Sequence, residues 1–456
     1  MSVATDMRRG WCPSVTRPMP SGDGLLVRLS LPADSVPPAL LHAIASCARR
    51  FGNGFVDLTR RGNLQLRGLS EETIPGLIEA LSSFEGVVPP HEAESARDIM
   101  MSPLSGLDPK AVCDVRPIVK ALRERLARET SLRALPAKFC FTVEDGGDFG
   151  LDHVAADIRF KARGSADDFS FTVALGGREH EATGVGACAP SSVPDVAVAL
   201  ARAFLELRGD GEEAPRRMAE VLKRVAAEMI VRAAPLGSQL VRDRETARAA
   251  APLALPERRA DIGIYISNPR SLYFSVGVAF GRMTADQLDD LATRVEASGA
   301  EVRLTPWRII FVACKSMIET RRMFYSLTDS GFVTNQGDPR LSVAACPGKP
   351  ACASGTVSPR EDALLLGRVA QGLCLSSPGL IGLHISGCAK GCARSTATKA
   401  TLVGRNGRYD LVIDGTAGDP PMREGLTLEE AKIALEQIIE EIRAKRRLGP
   451  EREEHL

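Results

Sequence analysis

The sequence predicts an α+β protein made of two pseudo-equivalent halves. Two observations carry this expectation. A strand, helix, strand order near the N-terminus returns after about half the chain, and 456 residues exceed what one hydrophobic core usually organises. In the first copy, GDGLLVRLSLP from Gly22 alternates like a strand, Pro38 to Phe51 reads as a helix, and NGFVDLTRRGNLQLRGL reads as one or two strands. In the second, NPRSLYFSVGVAF is a strand, MTADQLDDLATRVEASG a helix and AEVRLTPWRIIFVA a strand. Val56-Asp57-Leu58-Thr59 is echoed by Val302-Arg303-Leu304-Thr305. So long a period signals duplication of a large unit, because solenoid repeats run only about 20–50 residues.

Between the copies, residues 233–259 are rich in Ala, Pro and Arg without a strand pattern, as expected of a connection. Two helices stand out elsewhere. Met218, Val221, Leu222, Val225, Met229 and Ile230 form one apolar stripe, and Leu428, Ala431, Leu435, Ile438 and Ile442 another. Thr427 and Glu430 occupy capping-box positions ahead of the second.

Composition narrows the function. With 58 Lys and Arg against 57 Asp and Glu the chain is nearly neutral, which disfavours nucleic acid as a partner. The N-terminus MSVATDMRRGWCP lacks the apolar stretch of a secretion signal, and no run of about 18 apolar residues suits a bilayer. A cytoplasmic protein without membrane contact is expected. Eleven cysteines, an odd number in a chain this long, do not describe a disulfide scaffold.

The strongest signal lies among those cysteines. ACPGKPACASG from Ala345 and HISGCAKGCARS from His384 give Cys346-x5-Cys352 and Cys388-x3-Cys392. A [4Fe-4S] cube needs four converging thiolates, and close pairs on tight loops deliver two each. Gly348, Gly387 and Gly391 permit the sharp turns required. Structural zinc sites space paired ligands by about two to four residues, so the x5 spacing suits them poorly. Four unligated buried thiols remain the bland alternative. Cys12, Cys47, Cys113, Cys140, Cys188, Cys314 and Cys374 form no second constellation and read as small apolar fillers.

The cysteine spacing resembles the cluster motif of the nitrite and sulfite reductase superfamily. RRGNLQLRG from Arg60, ESARDIMMSPLSGLDP from Glu94 and LPAKF from Leu135 resemble its other signature blocks, in the same order and across most of the chain. Within the superfamily, RRGWCPSVTRPMPSGDGLLVRL and FTVEDGGDFGLDHVAADIRF look most like the precorrin-3B synthase family. The resemblance implies a sulfite-reductase-like duplicated fold, with two ferredoxin-like half domains (residues 15–78 and 258–330) and two larger α/β lobes (90–235 and 335–448) around a tetrapyrrole pocket. It implies an oxygen-dependent monooxygenase of cobalamin biosynthesis that hydroxylates precorrin-3A at C-20 with lactone formation. Its cofactors would be a [4Fe-4S] cluster and a mononuclear non-haem iron, and its electrons would come from an external donor protein or NADH-linked reductase.

Carried over by position, Arg61 and Arg97 fall on anion-binding arginines of the reductases, and Lys138 on their lysine. Two departures are visible. Cys140 stands where the reductases set a further polar or basic residue, and Arg394-Ser395 where His or Arg followed by Pro is expected. Arginines suit carboxylate-edged ligands because they grip in a fork, although Arg60, Arg61 and Arg67 share one segment and could simply line a solvated face. A sirohaem-dependent sulfite or nitrite reductase and a non-catalytic iron-sulfur carrier stay open as rivals. The string Gly184 to Ala189 meets Pro190 at once, unlike a dinucleotide loop. The histidines show no pair at iron-ligand spacing, and His384 reads as a hydrogen-bonded core residue.

Overall fold

The structure is a computed structural model describing residues 13–31, 34–88, 98–236, 239–241, 261–268, 271–374 and 381–447. In chain order, the first small module contains β1 (Met19–Ser21), β2 (Gly24–Arg28), α1 (Pro38–Phe51), β3 (Phe55–Leu58), β4 (Leu64–Leu69) and α2 (Ile74–Leu81). The first lobe follows with β5 (Asp98–Met101), α3 (Arg116–Ala127), β6 (Cys140–Glu144), β7 (Ile158–Gly164), β8 (Phe169–Leu175), β9 (Thr183–Cys188), α4 (Val193–Arg208), α5 (Met218–Val221) and α6 (Ala227–Ala233). The second module holds β10 (Gly263–Asn268), β11 (Ser271–Gly277), β12 (Arg282–Thr284), α7 (Ala285–Ser298), β13 (Glu301–Leu304), β14 (Ile309–Cys314) and α8 (Met317–Asp329). The second lobe has β15 (Val343–Ala345), α9 (Pro359–Leu373), β16 (Leu383–Ser386), β17 (Thr398–Arg405), β18 (Arg408–Gly415), β19 (Arg423–Leu426) and α10 (Leu428–Arg447).

Duplication is written into the sheets. In the first lobe β5, β6 and β7 run parallel and β8 and β9 return antiparallel; β15, β16 and β17 run parallel and β18 and β19 antiparallel in the second. A helix makes each first crossover, α3 in one lobe and α9 in the other, since parallel neighbours cannot be joined by a tight turn. The small modules interlock. Strand β12, from the second, pairs with β3 of the first, while Val36 of the first bridges Val302 on β13 of the second. Helices α1 and α7 pack together, so that Leu40, Leu41 and Ile44 share one core with Leu288, Leu291 and Val295.

Local chemistry explains the element ends. Pro38 opens α1 with its φ already fixed, and the helix stops at extended Gly52. Thr284 and Gln287 form a reciprocal capping box on α7, which closes on left-handed Gly299. Thr427 and Glu430 do the same for α10, whose Ala431, Leu435 and Ile438 enter the second lobe's core. The stripe from Met218 to Ile230 is not one helix. Ala226 leaves the helical region at ψ 149°, dividing it into α5 and α6, and Met229 turns outward at 47% exposure. This break lets Met218, Val221 and Ile230 all reach one core while Lys223 and Arg224 face a cavity. The glycine string from Gly184 lies inside strand β9, so it cradles no phosphate. Among the described residues no helix is long and apolar enough to cross a membrane.

Candidate active site

Both lobes and both small modules border one cavity of about 2880 Å³. Ordinary small-molecule pockets occupy about 300–1,000 Å³, so this space suits a macrocycle or something equally large. Its described lining carries nineteen Lys or Arg and six Asp or Glu, although the whole chain has a net charge of +1. Positive potential is therefore focused on the cavity, where low-dielectric walls strengthen attraction for a polyanionic ligand.

Cys346, Cys352, Cys388 and Cys392 all border that cavity. Strand alternation delivers the first. Val343 and Ala345 point into the helix-covered core, leaving Ala344 and Cys346 on the opposite face. Leu383 and Ile385 behave likewise on β16, and Cys388 follows two residues past its end. The cysteine loops thus grow from the C-terminal ends of neighbouring parallel strands, where open α/β sheets place their ligands. Glycine lets the loops close up. A Cβ on Gly387 would lie 3.1 Å from Gly348 Cα, 3.3 Å from Gly355 Cα and 3.6 Å from Cys346 Sγ. The Gly387 N–H instead donates to Cys346 Sγ at 3.1 Å, and its carbonyl accepts from Thr356 N at 3.0 Å.

Burial pushes the Cys346 thiol up, backbone N–H groups of Gly387 and Gly348 pull it down, and the charges of Cys388 and Cys352 push it up again. Burial also raises Cys392, followed by the charges of Cys346, Cys388 and Cys352. Cys346 and Cys392 therefore each feel the charges of other cysteines of the set. Tetrahedral zinc at about 2.3 Å from each thiolate would need sulfurs about 3.8 Å apart. Among the described residues, three potential ligand atoms close to within 4.8 Å at Glu144, Asp152 and Glu179, and not at the cysteines. The backbone N–H on Cys346 Sγ is the kind of outer bond a cluster thiolate receives, while Cys392 stays exposed at the cavity. By contrast, Cys47 and Cys314 are raised to about 11 and Cys113 and Cys188 to about 12, chiefly by burial, as isolated thiols.

The first lobe preserves the same scaffold without the cysteines. Ser102 N donates to Val143 O at 3.2 Å, as Cys346 N does to Ile385 O at 3.4 Å. Asp145 N donates to Ser102 Oγ at 3.0 Å, matching the bond from Gly387 to Cys346. Ser102 therefore stands in the place of Cys346, and Asp145 in that of Gly387. Burial raises the Asp145 carboxyl to about 6 from 3.8, only partly opposed by bonds from Gly147 N and Ser102. With the folded value above the unfolded one, stability is complete below about pH 3.8 and declines as pH rises through 6. Asp145→Asn should consequently be more stable than the parent by about 1–3 kcal/mol at pH 7.5, with the gain vanishing near pH 4. Urea denaturation at both pH values measures this, and an equal difference at each would refute it.

Sequence-predicted Arg61 and Lys138 come together: Arg61 Nη2 donates to the Lys138 carbonyl at 3.2 Å, and both side chains border the cavity. Arg97 lies outside the described residues. Arg61 sits on the hairpin tip between β3 and β4, where Thr59 Oγ1 accepts from Arg61 N at 3.3 Å and Asn63 N at 3.2 Å. Thr305 Oγ1 in the second module accepts from Trp307 N at 3.3 Å and donates to Ile309 O at 2.7 Å. Arg308 thereby occupies the position of Gly62, and both adopt left-handed backbone, φ 61° and 69°. Sequence reasoning missed Arg308; the Val-x-Leu-Thr echo was the available signal. Arg308 thus holds, beside the cavity, a left-handed backbone in which glycine would be relaxed. Arg308→Gly should leave thermal stability unchanged or slightly raised while weakening binding of a carboxylate-rich tetrapyrrole by about tenfold or more. Unchanged affinity in fluorescence titration would remove Arg308 from the site.

Arg60 Nη1 reaches Ser395 Oγ at 3.5 Å, so the residue departing from the expected His/Arg-Pro sequence joins the first module to the Cys392 loop. Cys140 is fully buried and does not border the cavity, which leaves it nothing to offer an anion. His384 is also fully buried, yet neither ring nitrogen is hydrogen-bonded among the described residues, unlike the expected core histidine. Burial, then Arg308, Arg394 and Arg60, lower it to about 3 and keep it neutral. The Glu144, Asp152 and Glu179 group does not fit a mononuclear iron. Lys161 bonds Asp152 and Glu179 at 2.8 Å, Arg159 pairs with Glu144, and the three carboxylates lie outside the cavity lining.

Residues 17–84 match the nitrite/sulfite reductase ferredoxin-like half domain, and residues 92–239 the nitrite and sulphite reductase 4Fe-4S domain. A precorrin-3B synthase from Sinorhizobium sp. is 35% identical over 426 residues, covering 92% of this chain and 86% of its own. The chain belongs to the nitrite/sulfite reductase superfamily. This superfamily member is an oxidoreductase of duplicated α+β architecture with a 4Fe-4S-type domain. A ferredoxin-nitrite reductase from Synechococcus elongatus is 25% identical, covering 88% of this chain and 80% of its own. The Mycobacterium tuberculosis NirA structure superposes with a TM-score of 0.70 at 17% identity, over 91% of this chain and 80% of that one, and shares the fold. The superfamily's 4Fe-4S match falls on the lobe with Ser102, whereas the four-cysteine loops belong to its topological twin.

Proposed function

We propose that the chain works as a precorrin-3B synthase, hydroxylating precorrin-3A at C-20 with lactone formation in cobalamin biosynthesis. Cys346, Cys352, Cys388 and Cys392 would hold a [4Fe-4S] cluster, and that group would supply one-electron transfer from an external donor protein or NADH-linked reductase. One observation carries the reading: a cationic cavity of macrocycle size meets both cysteine loops in a chain 35% identical to a precorrin-3B synthase. Arg61, Lys138 and Arg308 border it and can grip the acetate and propionate edges, orienting the ring against the cysteine loops. Arg97, in the same signature block pattern, is assigned to the same task.

The test uses protein purified without air. Iron and sulfide without sirohaem bands, together with gain of one oxygen atom from labelled dioxygen by precorrin-3A, is the expected result. A sirohaem spectrum with turnover of nitrite or sulfite would overturn it. That second reading draws on the same cavity and on Cys392, which is exposed at its border and would meet a sirohaem only if that group were held there. Buried Cys140 weighs against it.

A further inference from the structure

The Cys352 loop is gripped by a part of the chain about which the function so far says nothing. The turn between β1 and β2 closes on the carbonyl of Ala351, the residue before Cys352. Ser21 Oγ donates to that oxygen at 2.7 Å and Gly22 N at 3.3 Å, across 330 residues of sequence in the first case. Arg67 Nη2 donates to the same oxygen. A carbonyl has two lone pairs, so three donors on one oxygen leave it little freedom.

Arg67 is itself fixed. Its Nε and Nη2 hold Asp23 at 3.1 and 2.9 Å, its Nη2 also reaches Ser21 Oγ, and its side chain is 6% exposed. Asn53 Nδ2 braces Asp23 from the other side at 3.1 Å. The approach is too close for any side chain at Gly22: a Cβ there would overlap Pro350 O and lie 3.0 Å from Ala353 N and from Cys352 C. On its far side the loop is tied by Cys352 N to Gly348 O at 2.7 Å and by Gly355 N to Cys352 O at 2.9 Å.

We infer that Ser21, Gly22 and Arg67 form a positioning clamp that sets the Cys352 sulfur, and through it the retention and electronic state of the cluster. Ser21 and Arg67 border the cavity, but their hydrogen bonds run to the Ala351 carbonyl and to Asp23, so they act on the cluster through the Ala351 to Cys352 peptide. The inference rests on the reading that Cys352 is a cluster ligand. Outer partners of this kind typically alter metal retention by about 10–100-fold when removed.

Full-length Ser21→Ala, Ser21→Thr and Arg67→Gln proteins test it beside the parent, each reconstituted anaerobically with iron and sulfide. Ser21→Ala and Arg67→Gln should keep the parent's circular dichroism and assemble a cluster, yet lose iron to a chelator roughly 10–100-fold faster. Their reduced clusters should also show an altered EPR line shape, which a merely structural weakening would leave alone, and Ser21→Thr should restore both. Parent-like iron loss and EPR in Ser21→Ala and Arg67→Gln, with an intact parent cluster, would overturn the clamp alone. A parent protein holding no iron or sulfide would overturn the cluster reading, and the clamp with it. Should Arg67→Gln fail to fold because Asp23 is left buried, Ser21→Ala still decides.

Discussion

Cys346→Ala and Cys388→Ala should each lose bound iron and inorganic sulfide together, with oxygenation of precorrin-3A falling to background. Removing one thiolate leaves an iron of the cube uncoordinated, and neither loop offers a substitute sulfur at the strand ends where these two residues stand. Cys188→Ala is the control. Its thiol is buried in the first lobe's core, so iron should stay bound while stability drops by about 1 kcal/mol. Colorimetric iron and sulfide determination on anaerobic material reads all three. Full cluster content in Cys346→Ala or Cys388→Ala would end the assignment of the ligands.

Asp57→Ala should destabilise the fold by about 3–5 kcal/mol, the usual result of stripping one partner from a buried ionic group. Asp57 is 5% exposed on β3, and its Oδ1 sits 3.0 Å from both Arg282 Nε and Arg360 Nη1. Arg282 belongs to β12 of the second module and Arg360 to the first turn of α9, so one carboxylate joins three units. Burial alone would raise its pKa, but the charges of Arg360 and Arg282 prevail and hold it below the ordinary 3.8. A depressed carboxylate contributes its stability above that value and loses it as pH falls through the lower folded one. Parent and Asp57→Ala should therefore differ fully at pH 7 and converge in strong acid. A difference below about 1 kcal/mol in denaturant unfolding at pH 7, the usual size for a surface pair, would show that the network is not what joins the units.

Much of this was legible in residues alone. Helix α1 runs from Pro38 to Phe51 as its pattern predicts, because a proline start and a glycine stop are local signals. The echo of Val56 to Thr59 in Val302 to Thr305 marked true counterparts, since both threonines tie the same hairpin tip. Other features depended on what the chain meets after folding. Nothing local tells β12 to join the sheet of the other module, because its pairing edge is supplied by Phe55 to Asp57, more than 200 residues away. The break at Ala226 was hidden by apolar residues that fit a helix stripe but serve one core from two short helices. Ser102 could not be recognised as the twin of Cys346 without the two matching backbone bonds. The clamp on Ala351 escaped for the same reason, as a carbonyl carries no trace of its partner in the sequence.

The crossed pairing of β12 with β3 and of Val36 with Val302 has an evolutionary reading. A single ancestral unit could satisfy those strand borders only by pairing with a second copy of itself. Fusion into one polypeptide then freed each repeat to diverge, so that one carries a thiol at Cys346 where the other carries the hydroxyl of Ser102, and Gly387 where the other carries Asp145. Asymmetry at the redox end is thus a product of the tether between the copies, which a symmetric homodimer could never have acquired.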